Sequence, residues 1–177
     1  MSETSPDVIG VIGVGLLGSA LCYRLRKAGH QVVGYDIRTA QLESLLHLGG
    51  QAASSISDVA NTAKVIILSL PDSTISKRVC SELANSAGSQ TTVIDTTTGT
   101  PEDAIENAEL LSQHDILFMD ATVAGASTQV QEGAGVFMVG GDPQVFKQHS
   151  PLLNDISNVI FHVGSIGSGC RLKLVVN

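Results

Sequence analysis

The sequence predicts an α/β fold: a doubly wound, mostly parallel sheet covered by helices on both faces. Three observations predict it. Short apolar runs rich in Val and Ile alternate along the 177 residues with stretches that repeat apolar residues at helical spacing. The first run, Val8 to Ile12, passes directly into Gly13-Val14-Gly15-Leu16-Leu17-Gly18 and then into a helical pattern. Strands separated by helices have the crossover length that parallel pairing needs, and sheets of that kind are covered on both faces.

Each element has a local reason. Val8 to Ile12 reads as a buried strand. Leu16 to about Ala28 is a helix, with Ala20, Leu21 and Leu25 in its apolar pattern, and Gly29 ends it as a C-terminal cap. Gln31 to Tyr35 is the second strand and ends on Asp36. Thr39 to Leu48 is helical, with Thr39 as N-cap and Gly49-Gly50 closing it. Ser57 to Ala63 is a short helix capped by Ser57. Val65 to Leu70 is a fully buried strand, stopped by Pro71-Asp72-Ser73. Thr74 to Ala87 places Ile75, Val79 and Leu83 on one stripe. Thr92 to Asp95 is a strand, and Pro101 opens a helix to about Gln113 with Glu102 and Asp103 in its first turn. Ile116 to Asp120 is a strand. Ala121 to Gly135 is poor in bulky residues and fits neither period. Val136 to Val139 is a strand, Pro143 to Leu153 a helix, and Val159 to His162 a last short strand; Gly167-Ser168-Gly169 opens a final helix.

Composition narrows the function. A net charge of −7 argues against nucleic acid or an anionic membrane surface as the main partner. No apolar run reaches membrane-spanning length, and the polar, acidic start Met1 to Asp7 is no signal peptide. Cys22, Cys80 and Cys170 are scattered, without metal spacing or a disulfide framework, so reduced thiols in a cytoplasmic protein and no metal site are expected.

The glycine turn carries the chemistry. Gly13 allows the tight turn, Gly15 lets a pyrophosphate approach the backbone, and Gly18 lets the helix pack closely. The free N–H groups opening that helix face the anion. Asp36 lies 18 residues after Gly18, where an acid meets a ribose diol. A glycine-rich turn with Asp36 as a solvated acid is the competing reading; the legible strand and helix on either side weigh against it. Asp36 favours NAD by repelling a 2′-phosphate, while Arg38-Thr39 allows NADP as well. Strand tips at the carboxyl edge are the expected ligand positions, so Thr96-Thr97-Thr98 reads as a ligand-facing loop. Asp95 and Asp120 are expected to bond loop amides rather than to act as a paired acid and base.

Taken together, several stretches resemble the β-hydroxyacid dehydrogenases, the group around 3-hydroxyisobutyrate dehydrogenase, tartronate semialdehyde reductase and 6-phosphogluconate dehydrogenase. These are the glycine turn, Lys27-Ala28-Gly29-His30, Asp36, Leu70-Pro71-Asp72-Ser73, Asp95-Thr96-Thr97-Thr98, Met138-Val139-Gly140-Gly141 and Gly167 to Asn177. The resemblance implies that Gly13, Gly15, Leu16, Leu17 and Gly18 line the pyrophosphate and that Asp36 holds the adenosine ribose. It places Leu70 and Pro71 along the cofactor and Thr97 near the nicotinamide ribose. Lys173 matches the family's catalytic lysine, and Asn177 its substrate-contacting asparagine. The family's substrate loop, Asp-x-Pro-Val-Ser-Gly-Gly, corresponds to Asp120 to Ala126, which implies substrate contacts from Thr122, Ala124, Gly125 and Ala126. Ala124 lacks the family's serine hydroxyl, and Ala126 stands where the family has glycine.

The resemblance further implies a Rossmann-type domain over 1–167 and the start of an interdomain helix over 168–177, with the family's all-helical C-terminal domain absent. Lys173 and Asn177, four apart, share a helix face. The expected activity is hydride transfer between nicotinamide and a small 3-hydroxy acid or semialdehyde, with Lys173 as general acid/base. The full-length enzyme is expected to be a homo-oligomer, and this chain to be inactive alone. The alternative is a non-catalytic NAD(P)-binding or oligomerisation module; an imine-reducing relative is disfavoured by Lys173.

Overall fold

The alternation of strands and helices is realised as one eight-stranded sheet. The structure is a computed structural model that describes residues 8–176. Numbered in chain order, the strands are β1 (Val8–Ile12), β2 (Gln31–Tyr35), β3 (Gln51–Ala52), β4 (Val65–Leu68), β5 (Thr92–Asp95), β6 (Leu117–Ala124), β7 (Val136–Gly140) and β8 (Val159–Gly164). The helices are α1 (Leu16–Lys27), α2 (Thr39–His47), α3 (Ile56–Thr62), α4 (Ser73–Ser86), α5 (Pro101–Ser112), α6 (Ser127–Gln131), α7 (Pro143–Ile156) and α8 (Ser168–Val176).

The strand order is β3-β2-β1-β4-β5-β6-β7-β8. Every neighbouring pair is parallel except β6 and β7. The chain leaves β1 toward one edge and returns past it to β4, so the switch point lies between those two strands. Two apolar layers cover the sheet. Leu21, Leu25, Phe137 and Leu153 pack on one face; Leu68, Leu83, Leu111 and Phe118 pack on the other. Among the described residues, no helix is long and apolar enough to cross a membrane.

Several boundaries differ from the sequence expectation, each for a local reason. The cap of α3 is Ser55 rather than Ser57, because the Ser55 side chain accepts the Asp58 N–H. Thr39 is the first helical residue of α2, and Arg38 stands at the N-cap without a side-chain bond. The α4 helix starts one residue early, at Ser73, because the Asp72 carboxylate accepts the Ile75 N–H. The two-residue strand β3 carries no period to detect; it exists through pairing with Val33 and Gly34. The unassigned stretch from Ala121 divides into the end of β6, a turn, and α6. The link from Ala124 to Val136 is shorter than the crossover a parallel neighbour requires, so β7 returns antiparallel.

Candidate functional site

The glycine turn closes on two backbone contacts. Gly13 has φ +90°, and a Cβ there would collide with the Ser69 carbonyl. A Cβ on Gly18 would collide with the Gly13 carbonyl. These two glycines therefore let the turn fold down onto the tip of β4 and onto the first turn of α1. Gly15 differs: a Cβ there would meet nothing nearer than the Arg38 guanidinium, at 3.6 Å. Open space above the α1 N-terminus is what an anion needs to reach the helix N–H groups.

That space belongs to a cleft of about 440 Å³. Its floor is Gly13, Gly15, Leu16 and Leu17; one side is Asp36, Ile37 and Arg38; the other is Leu70, Pro71, Thr96 and Thr98. The cleft lies beyond the carboxyl ends of β1, β2, β4 and β5, at the switch point. An elongated cofactor with a diphosphate at its middle fits this shape, with one half running toward β2 and the other toward β5.

Asp36 is placed at the tip of β2 and its side chain is only 7% exposed. One carboxylate oxygen accepts the Val14 N–H and the other the Arg38 N–H, each at 2.8 Å. It thus ties the glycine turn to β2. A carboxylate has about four acceptor sites, so a ribose diol can still be bound. Arg38 is exposed, with Nε 3.7 Å from Asp36 Oδ1.

Thr97 is turned away from this cleft. It is buried, its Oγ1 accepts the Leu70 N–H at 3.2 Å, and Thr96 and Thr98 line the cleft in its place. Behind it sits a polar cluster that residue-by-residue reading did not single out as a unit. Asp95 accepts the Thr97 N–H at 2.8 Å and the Ser76 hydroxyl, and Asn107 Nδ2 donates to Ser76 Oγ. Burial pushes the Asp95 carboxyl above its ordinary value, against the opposing pull of the Ser76 and Thr97 bonds. The expected amide bonding of the two strand-end acids is what the structure contains: Asp120 accepts the Gly167 and Cys170 N–H groups at 2.7 and 2.9 Å. Burial pushes the Cys170 thiol up to about 12, so it is an inert packing group.

Related contacts hold the start of α8. Asp120, Thr122 and Ala124 alternate onto one face of β6. Asp120 holds the start of α8, and the Thr122 hydroxyl donates to the Gly169 carbonyl at 2.8 Å. Thr122 is wholly buried, so its hydroxyl serves α8 and is not presented to a ligand. The helix therefore advances along β6 in the strand's own direction. From Gly169 to Lys173 it rises about 6 Å; from Thr122 to Ala124 the strand advances about 7 Å. Gly169 and Lys173 share one helix face. Half-buried Lys173 follows one turn later, in the second turn of α8. Gly125 and Ala126 follow β6, exposed. Asn177 lies outside the described residues.

Residues 8–164 match the family described as the NAD binding domain of 6-phosphogluconate dehydrogenase. The chain belongs to this family. It is 29% identical over 172 residues to 2-(hydroxymethyl)glutarate dehydrogenase of Eubacterium barkeri, which covers 96% of the chain and 57% of that relative. It is 31% identical over 179 residues to mitochondrial 3-hydroxyisobutyrate dehydrogenase of Rattus norvegicus, covering 99% of the chain and 53% of the relative. The chain thus spans little more than half the length of these relatives. Among solved structures, 3-hydroxyisobutyrate dehydrogenase of Mycobacterium tuberculosis with L-serine superposes with a TM-score of 0.94 at 28% identity, over 97% of this chain and 59% of that one. Residues 8–164 are accordingly an NAD-binding domain of this family.

Proposed function

We propose that the chain is the cofactor-binding part of an NAD-dependent oxidoreductase acting on a small 3-hydroxy acid or the corresponding semialdehyde. The observation that carries the reading is the open glycine turn and its cleft in a family NAD-binding domain, with Lys173 assigned to the reacting end by the resemblance. Bound NAD supplies the hydride acceptor. The N–H groups of the α1 N-terminus hold the diphosphate, Asp36 the adenosine ribose, and Leu70 and Pro71 the flank of the cofactor. Lys173 acts as general base, taking the hydroxyl proton as the carbonyl forms; in the reverse direction it returns that proton to the oxygen. Gly125 and Ala126, after β6, border the place for the rest of the substrate, with Asn177 assigned to it by the resemblance.

Residues 1–167 are the dinucleotide-binding domain on this reading, and 168–177 begin the helix that leads to a second, helical domain. Leu174, Val175 and Val176 are exposed on α8 and suit such a cover. Homo-oligomeric assembly and a reducing, cytoplasmic setting belong to the same proposal. Calorimetric titration with NADH and NADPH tests its first half: saturable binding of NADH is expected, with NADPH weaker because Asp36 repels a 2′-phosphate. Failure to bind either would sink it.

Ala124 and Ala126 favour a second reading, a non-catalytic NAD(P)-binding module, because they offer methyl groups where a substrate needs donors. Tight NADH binding by a full-length protein that oxidises no hydroxy acid would establish it.

A further inference from the structure

Behind Thr97 lies a second, much smaller cavity of about 10 Å³. Ser76 of α4, Asp95 and Thr97 at the end of β5, Asn107 of α5, Asp120 of β6 and Cys170 of α8 line it. It is separate from the cofactor cleft, since no residue lines both.

Asn107 is the unusual member. It is 2% exposed, and its Nδ2 donates to Ser76 Oγ at 3.3 Å. A hydroxyl has one proton to give, and that of Ser76 goes to the Asp95 carboxylate. Ser76 can therefore only accept from Asn107, which turns Nδ2 toward α4 and fixes which end of the carboxamide is which. No protein group among the described residues donates to the other end, Oδ1. A buried amide oxygen without a donor is costly, and folded proteins rarely keep one.

The chemistry of the lining selects the partner. Asp95 accepts from Ser76 and from the Thr97 N–H; Asp120 accepts the Gly167 and Cys170 N–H groups. Donors thus already meet both carboxylates, so the cavity does not demand a cation. Among the described residues, no Lys, Arg or His lines it. What Asn107 Oδ1 requires is a small neutral donor, and the space admits one water-sized molecule. Each carboxylate has about four acceptor sites, so Asp95 can take a further proton donor.

We infer that this cavity is the binding site of one water molecule, which donates one proton to Asn107 Oδ1 and the other to the Asp95 carboxylate. The water joins α5 to the end of β5. Asp95 also holds the Thr97 N–H, and Thr97 Oγ1 accepts the N–H of Leu70, a residue of the cofactor cleft. A chain of hydrogen bonds therefore runs from α5 to the wall of that cleft, whatever reaction takes place there.

The test is a high-resolution crystal structure of the full-length protein. One solvent peak is expected in the cavity, within about 2.7–3.2 Å of Asn107 Oδ1 and of an Asp95 oxygen. Asn107→Leu keeps the branched shape and removes the acceptor, so the peak is expected to vanish. Melting temperatures of the wild type in sodium, potassium and choline chloride at equal ionic strength are expected to coincide, because water needs no particular cation. If Asn107→Leu fails to fold, the wild-type peak and the salt series still decide.

A wild-type cavity without a solvent peak overturns the inference. So does a carboxamide found with Oδ1 on Ser76, or a peak beyond hydrogen-bond reach of Asn107. A peak that persists in Asn107→Leu overturns the role given to Asn107 and the inference with it. A melting temperature raised by sodium or potassium alone would mean that the cavity takes a cation instead of water.

Discussion

The hydroxyl of Thr122 donates to the carbonyl oxygen of Gly169 at 2.8 Å, one helical turn before Lys173. With the two Asp120 bonds, it clamps α8 along β6. That clamp fixes the helix that carries Lys173. Thr122→Val keeps the shape and removes the bond that ties the Gly169 carbonyl to β6. Unfolding in urea is expected to show a loss of about 0.5–1.5 kcal/mol, with NADH affinity unchanged. A midpoint equal to wild type would show that the bond does not hold the helix.

Gly15 and Gly18 separate by what surrounds them. Gly15→Ala meets no backbone within contact distance, so the chain folds with near wild-type stability. The added methyl occupies the approach to the α1 N-terminus, and NADH affinity should fall by about ten-fold or more. Gly18→Ala drives a Cβ into the Gly13 carbonyl and is expected to lose stability first. Melting curves alongside NADH titrations distinguish the two; equal behaviour would contradict the geometry.

Asp36→Asn keeps acceptor oxygen for the Val14 N–H while removing the charge. The ratio of NADPH to NADH affinity is expected to rise about ten-fold, the scale of one relieved charge contact near a phosphate. An unchanged ratio would move cofactor choice to Arg38.

Asp95 makes a prediction about pH. Burial raises its folded-state pKa above the ordinary value of 3.8. The folded protein therefore holds the Asp95 proton more tightly than the unfolded chain does. Its contribution to stability is fully present below that ordinary value and is lost as pH rises toward the folded pKa. Asp95→Asn removes the group from the balance while keeping an acceptor for the Thr97 N–H. Relative to wild type, the variant should gain stability between pH 4 and pH 7. Denaturation at both pH values reads this directly, and a difference independent of pH would show that Asp95 titrates alike in both states.

Lys173→Met tests the general base. In the full-length protein, hydroxy-acid oxidation should fall by roughly 10²–10⁴-fold with NADH binding retained. A loss smaller than ten-fold would remove the lysine from the chemistry.

Local sequence carried much of this. The alternation of Val- and Ile-rich runs with helical stretches determined the α/β class, because strand and helix periods are properties of neighbouring residues. The spacing of Gly13, Gly15, Gly18 and Asp36 located the cleft at the switch point for the same reason: a turn and two strand tips are built from residues close in the chain. Pro101 and Gly29 marked helix ends through their own backbone limits.

Other features were settled only when distant segments met. Thr97 faces away from the cleft because the Asp95 and Leu70 contacts orient its loop. Thr122 serves α8 because Gly169, 47 residues later, packs against it. The small residues of 121–135 carried no period, and strand pairing decided their structure. Periodicity reports which face of an element is apolar; it holds no information about which polar group another element brings to that face. Side-chain alignment there is therefore a property of the packed molecule, decided where β6 and α8 come together.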